Sequence, residues 1–215
     1  EHPETTPTKT APNETTPTET TPNEIPRNLC HDTSFSERRD LQQYFFSRRC
    51  AENIVNAIMH RFCFDEEAIQ ENVVCCCAPS IAEMLHNEHG ITVTLLDIDT
   101  RFAHLPGFHF FDLTSPHPLS HSFSLVIFDP PYFGISGEKM AEAIRGISAK
   151  GAMLLTGFLK REEYLLLQHF PQLQRTNAVV EYDRVRSSRW ENYAMYSNCD
   201  LIGFKRIAEK KNVAK

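Results

Sequence analysis

The sequence predicts an α/β fold with a mostly parallel, doubly wound sheet that carries an antiparallel edge. Three observations predict it. Short apolar runs alternate with helix-period stretches between Asn72 and Phe170, which is the pattern of strands covered on both faces. Acids stand at the carboxyl ends of those runs, at Asp97, Asp99, Asp112 and Asp129, where open α/β sheets bind their ligands. Beyond Phe170 the alternation stops, and strand candidates follow one another without an intervening helix, so at least one terminal pair is antiparallel.

In chain order, the first 28 residues read EHPETTPTKTAPNETTPTETTPNEIPRN. They hold almost nothing to bury, and such a segment stays a disordered, Thr/Pro-rich tail; the folded domain is expected over 29–215. Ser34-x-x-Glu37 has the form of a capping box. Leu41, Tyr44, Phe45, Ala51, Ile54, Val55, Ile58, Met59 and Phe62 then recur at three- and four-residue intervals, predicting one amphipathic helix. A further helical turn is expected over Asp65–Gln70. Asn72–Cys77 reads as a short strand ending in Ala78-Pro79-Ser80, from which a helix runs to the stop signal Gly90. Ile91–Ile98, Phe108–Leu113 and Phe123–Phe128 are the second to fourth strands. Helix over Glu138–Ile147, strand over Gly151–Thr156 and helix over Lys160–Phe170 follow, and Ala178–Tyr182, Tyr193–Tyr196 and Leu201–Phe204 are the last strand candidates.

Composition narrows the function classes. No run of about 18 apolar residues exists to span a bilayer. The net charge is −6, and outside the acidic tail the balance is close to neutral. Proteins that grip nucleic acid through counterion release carry a basic excess. A nucleic-acid substrate would therefore need a local patch or a partner subunit; Arg38-Arg39, Arg48-Arg49 and the group Arg184, Arg186, Arg189 are the candidates. The seven cysteines are odd in number and lack C-x-x-C spacing, which fits reduced thiols inside the cell, in the cytoplasm or the nucleus and nucleolus, rather than disulfides or structural zinc. Cys75, Cys76 and Cys77 are consecutive, and in a strand alternate side chains face opposite ways, so they cannot converge on one metal. No metal site is expected.

Asp129-Pro130-Pro131-Tyr132 is the most specific local signal. Two consecutive prolines fix two φ angles and remove two N–H groups, leaving carbonyl oxygens and the Asp129 carboxylate to face a ligand. Such a loop is rich in acceptors. It suits an amino group, which has donors to offer, while Tyr132 offers a flat face on which a planar base can stack for roughly 1–3 kcal/mol. Tyr44 and Phe45 lie at helical spacing and read as core.

The DPPY loop resembles the (D/N/S)PP(Y/F/W) signature of amino-group methyltransferases. With YFFSRR at Tyr44–Arg49, VVCCCAPSIAEML at Val73–Leu85, LLDIDTRF at Leu95–Phe102 and VIFDPPY at Val126–Tyr132, the chain resembles the eukaryotic N6-adenine methyltransferase-like family over about residues 40–200. That family includes a zinc-knuckle ribosomal RNA adenine-N6 methyltransferase and an elongation factor 1A lysine methyltransferase. The resemblance implies a Rossmann-like class I methyltransferase fold using S-adenosylmethionine. It also implies roles: Asp129, Pro130, Pro131 and Tyr132 hold the acceptor amine, and Ala78 and Ser80 line the methionine end of the cofactor. Asp97 or Asp99 takes the ribose hydroxyls, with a helix cap as the competing reading; Asp112 meets the adenine amine, with an Asx turn as the competing reading. Two departures stand out. Cys77-Ala78-Pro79-Ser80 replaces the usual G-x-G turn, and the zinc knuckles are missing. Three functions remain open: adenine-N6 methylation of RNA, methylation of a lysine in a translation factor, and a catalytically silent scaffold. The LLDID and VEYD segments favour the first, which is the expectation carried forward; near-neutral charge favours the second.

Overall fold

The computed structural model describes residues 28–207, so the expected tail lies outside the described residues except for Asn28. The main elements are α1 (Arg48–Arg61), α2 (Glu66–Asn72), β1 (Val73–Cys76), α3 (Pro79–His89), β2 (Thr94–Asp97), β3 (Phe108–Phe110), β4 (Phe123–Phe128), α4 (Gly137–Ile147), β5 (Ser148–Leu159), α5 (Glu163–His169), β6 (Gln174–Arg175) and β7 (Tyr193–Ser197). They form one seven-stranded sheet in the order β3-β2-β1-β4-β5-β7-β6. β3, β2, β1, β4 and β5 run parallel, and β7 pairs antiparallel with both β5 and β6. This is the Rossmann-like class I methyltransferase sheet, antiparallel edge included.

Local chemistry sets the boundaries. Ser47 caps α1 through Oγ, which accepts from Cys50 N at 3.2 Å, and Asp65 caps α2 by accepting from Ala68 N at 3.0 Å, each relieving an orphan N–H of a first turn. Pro79 opens α3, where its missing N–H costs nothing, and Gly90 closes it at φ +71°, a left-handed position that glycine takes without a Cβ clash. Cys75 packs with α1 and α3 on one face of the sheet, whereas Val74 and Cys76 pack with α4 and α5 on the other. Cys75 and Cys76 are thus buried core on opposite faces.

Several sequence expectations need correction. The long helix from Ser34 does not form. Glu37 Oε1 instead accepts from Phe45 N at 3.0 Å, Gln42 turns left-handed at φ +52°, and Phe46 bridges to Tyr182. Extended backbone sends neighbouring side chains to opposite sides: Phe45 packs on Phe35 and Phe102 while Phe46 stacks on Tyr182. Those contacts decide the segment against its helical period. Cys77 lies outside β1 and is left-handed at φ +54°. β2 and β3 are shorter than expected, and β5 is longer, running from Ser148 to Leu159. The expected helix over 160–170 splits into a 3-10 turn and α5. Ala178–Tyr182 supplies only the Tyr182 bridge, Leu201–Phe204 closes on itself as a turn, and β6 forms upstream at Gln174–Arg175.

Candidate active site

The strand order reverses between β1 and β4, and open α/β sheets bind ligands outside the carboxyl ends of strands at such a point. Asp129 leaves β4 there, its N–H donating to Cys76 O at 3.1 Å. Tyr182 Oη donates to Asp129 Oδ1 at 2.8 Å, and Tyr132 Oη donates to the same oxygen at 3.2 Å. The two hydroxyls also touch each other. Both bonds land on Oδ1, and Asp129 lines the adjoining cleft. Burial pushes the Asp129 carboxyl up to about 8, against the pull of the two tyrosine hydrogen bonds.

Around this carboxylate stands an aromatic cup. Tyr182 stacks on Phe46 and meets Tyr193 edge-on at 5.0 Å and Tyr44 at 5.8 Å. Tyr132 packs edge-on against Phe158 at 5.3 Å. Gly157 on β5 makes the room: a Cβ there would lie 2.8 Å from Tyr182 Oη and 3.3 Å from Asp129 Oδ1. Sequence reasoning passed over Tyr182 and Gly157. The VEYD segment signals a strand and a family resemblance but no partner for Asp129, and nothing in the local sequence ties Gly157 to the DPPY loop.

A cleft of about 250 Å³ opens beside the loop, lined among others by Cys77, Asp97, Ile98, Phe111, Asp112 and Pro131 and covered by the 40–44 strap. Asp97 is 4% exposed. Its Oδ1 accepts from Asp99 N at 2.8 Å, and burial pushes its carboxyl up to about 7. Asp99 does not line this cleft. It is fully buried, gripped through both oxygens by Arg101 and bonded by Gln43 Nε2 at 3.0 Å. Burial pushes its carboxyl up, but the Arg101 and Gln43 bonds outweigh that and hold it below the usual range. Arg101 also reaches Gln43 Oε1 and Ser36 O, so Asp99 and Arg101 fasten the strap over the cleft. Asp112 lines the cleft while its Oδ1 closes an Asx turn on Thr114 N and Oγ1, both at 2.8 Å. Ala78 and Ser80 are buried at the start of α3, and Pro130 is buried behind the loop.

Three of the seven basic candidates pair with acids. Arg38 pairs with Asp40, Arg48 with Glu52 and Glu88, and Arg49 with Glu181. No helix among the described residues is long and apolar enough to cross a membrane, and among them no group of three His, Cys, Asp or Glu side chains is placed to hold a metal.

The family model described as "Probable N6-adenine methyltransferase" matches residues 37–201. Among characterised proteins the chain is 30% identical over 144 residues to EEF1A lysine methyltransferase 1 of Gallus gallus, covering 60% of this chain and 63% of that protein. It is 28% identical over 151 residues to the Bos taurus protein of the same name, covering 60% and 62%. The matched region thus spans less than two thirds of the length of these two relatives. Among solved structures it is similar to a putative RNA methyltransferase from Pyrococcus horikoshii, with a TM-score of 0.48 at 12% identity over 80% of this chain and 92% of that one. A precorrin-6y C5,15-methyltransferase from Geobacter metallireducens gives 0.46 at 8% identity over 77% and 93%.

Proposed function

The chain belongs to the "Probable N6-adenine methyltransferase" family, and from that premise we propose that it is an S-adenosylmethionine-dependent N-methyltransferase whose acceptor is a protein lysine. The cleft chemistry fits the cofactor. Asp97 presents a carboxylate at the end of β2 for two ribose hydroxyls, Ile98 and Phe111 offer flat apolar surface for the adenine, and Asp112 retains an oxygen beyond its Asx turn for the adenine amine. Cys77, at φ +54°, turns the backbone away from β1 in a left-handed conformation that glycine takes most readily. When bound there, S-adenosylmethionine supplies an electrophilic methyl: the amine lone pair forms the N–C bond as the S–C bond breaks, and that bond's electron pair stays on sulfur, leaving a thioether.

The observation that carries the lysine reading is the raised carboxyl of Asp129. A lysine ammonium, with a pKa of about 10.4, has no lone pair until a proton leaves. An ordinary aspartate near 3.9 lies about 6.5 pH units below it, a gap of about 9 kcal/mol; a carboxyl near 8 narrows the gap to about 2.4 units, or about 3 kcal/mol. Burial therefore makes Asp129 a usable base for an ammonium, with its proton landing on Oδ2. Adenine's exocyclic amine is already neutral, so it needs Asp129 as an acceptor for its N–H but not as a base that frees its lone pair. The aromatic cup suits a cation as well, because ring faces attract ammonium groups. The relatives' name, EEF1A lysine methyltransferase 1, points to the same acceptor class. Adenine in RNA is the second reading, supported by the family description and by the Tyr132 ring beside the loop. The deciding experiment incubates the protein with labelled cofactor and cell extract, then separates protein from RNA. Label in protein lysine that is lost with Asp129→Ala is the expected result; label confined to RNA overturns the lysine reading.

A further inference from the structure

A second groove, of about 510 Å³, borders the DPPY loop at Tyr132. Its floor is aromatic: Tyr44 and Tyr132 also border the cofactor cleft or the Asp129 cup, and Tyr193 sits 6.0 Å from Tyr132 and 5.0 Å from Tyr182. The groove therefore reaches Tyr132, whose hydroxyl donates to Asp129 Oδ1 at 3.2 Å. Its rim carries Lys160, Arg161 and Arg189 against a single acid, Glu191.

These cations differ from most of the arginines elsewhere on the surface. Arg38, Arg48, Arg49, Arg101, Arg175 and Arg206 each hold a carboxylate within 3.1 Å. Arg161 makes only a 3.5 Å contact with Glu162 and remains 69% exposed, its guanidinium leaning over Phe133. Among the described residues, Lys160 and Arg189 have no ion pair. Burial raises the Tyr193 hydroxyl, with Tyr44 and Asp129 adding to that, while Arg161 and Arg189 both act against it, so both guanidiniums bear on the groove. Unmatched positive charge lining an aromatic channel calls for a negative partner.

We propose that this groove is a peptide-docking site that selects a target lysine flanked by aspartate or glutamate. The inference rests on the lysine reading and adds the recognition rule to it. It resolves a conflict inside the site, since a cationic rim repels a lone lysine. Acidic neighbours on the substrate neutralise Lys160, Arg161 and Arg189 and let the ammonium enter the tyrosine cup. A phosphate backbone would meet the same rim, but the chain's net charge of −6 offers it no wider attraction.

The test uses the full chain and a synthetic peptide set: one lysine each, flanked by acidic, neutral or basic residues, with lysine-free controls. Exposed ion pairs are worth up to about 1 kcal/mol, or about fivefold each, so two such pairs raise kcat/KM of the acidic set above the neutral set by up to about 25-fold. That ratio falls as salt is raised. Arg161→Glu combined with Arg189→Glu reverses the preference toward basic flanks, with cofactor calorimetry showing that the variant folds. Lysine methylation indifferent to flanking charge overturns the docking rule and leaves the lysine reading intact. No labelled peptide in any set, with or without labelled RNA, overturns both.

Discussion

Asp129 holds two opposing demands, and both are measurable. Its folded carboxyl is raised to about 8, above an unfolded value near 3.9. The folded state keeps a proton that the unfolded chain has already released, so stability is greatest below about pH 4 with respect to this group and falls as pH rises toward 8. Asn does not titrate and still accepts from Tyr132 and Tyr182. Asp129→Asn is therefore expected to raise Tm by several degrees at pH 9 and by almost nothing at pH 4, while turnover drops by two or more orders of magnitude; a Tm difference that ignores pH would show that the carboxylate carries no burial cost. Asp97 makes a second prediction. Its carboxyl is raised to about 7 by burial, and in its proposed role it accepts the ribose hydroxyls better when ionised. Cofactor affinity should weaken about tenfold per pH unit below 7 and level off above it, and Asp97→Asn should bind weakly with no pH dependence, both read by calorimetry. The Asp129 loop was legible in the sequence because its four residues are contiguous and follow a strand. Tyr182 was not, because its bond to Asp129 spans 53 positions and exists only once the 182 segment pairs with Phe46. Asp97 and Asp99 could not be told apart by position alone; Arg101 and Gln43 separate them.

At the scale of elements, the strands were legible wherever burial on two faces forces a continuous apolar run, as at Phe123–Phe128 and Tyr193–Ser197. The segment before α1 was not, because tertiary contacts of Phe45 and Phe46 outweigh a helical period that continues smoothly from Leu41 into the true helix. β5 shows what such pairing achieves: its last residues, Gly157 to Leu159, pair with β7 and form the wall behind the tyrosines. A methyl at Gly157 would displace Tyr182 Oη from Asp129. Gly157→Ala should cost about 1–3 kcal/mol as an overpacking change and reduce kcat at least about tenfold, with cofactor affinity nearly unchanged. Gly146→Ala, where a Cβ meets nothing within 4 Å in α4, should instead stabilise by about 0.4–1 kcal/mol. Thermal melts and single-turnover rates on the pair separate a general loss of packing from a specific loss of the tyrosine–carboxylate contact.

Across the whole molecule, two clefts share Tyr44 and border the DPPY loop: the cleft under the 40–44 strap, proposed for the cofactor and lined by Asp129, and the cation-rimmed groove lined by Tyr132. That geometry fits any acceptor amine, so the acceptor class has to be read from its protons. In the wild-type protein both acceptor classes make kcat/KM rise to about pH 8, because both need ionised Asp129. Removing the carboxylate separates them. In Asp129→Asn a lysine must arrive already neutral, and the neutral fraction grows tenfold per pH unit up to its pKa of about 10.4. An adenine amine is neutral throughout, so its residual transfer has nothing left to titrate. Single-turnover transfer by Asp129→Asn, followed with labelled cofactor, is therefore expected to climb about tenfold per unit from pH 7 to pH 10 with no break near 8. A flat residual rate on the acceptor that takes the label would overturn the lysine reading, because the only group left to lose a proton before attack would then be absent from the substrate.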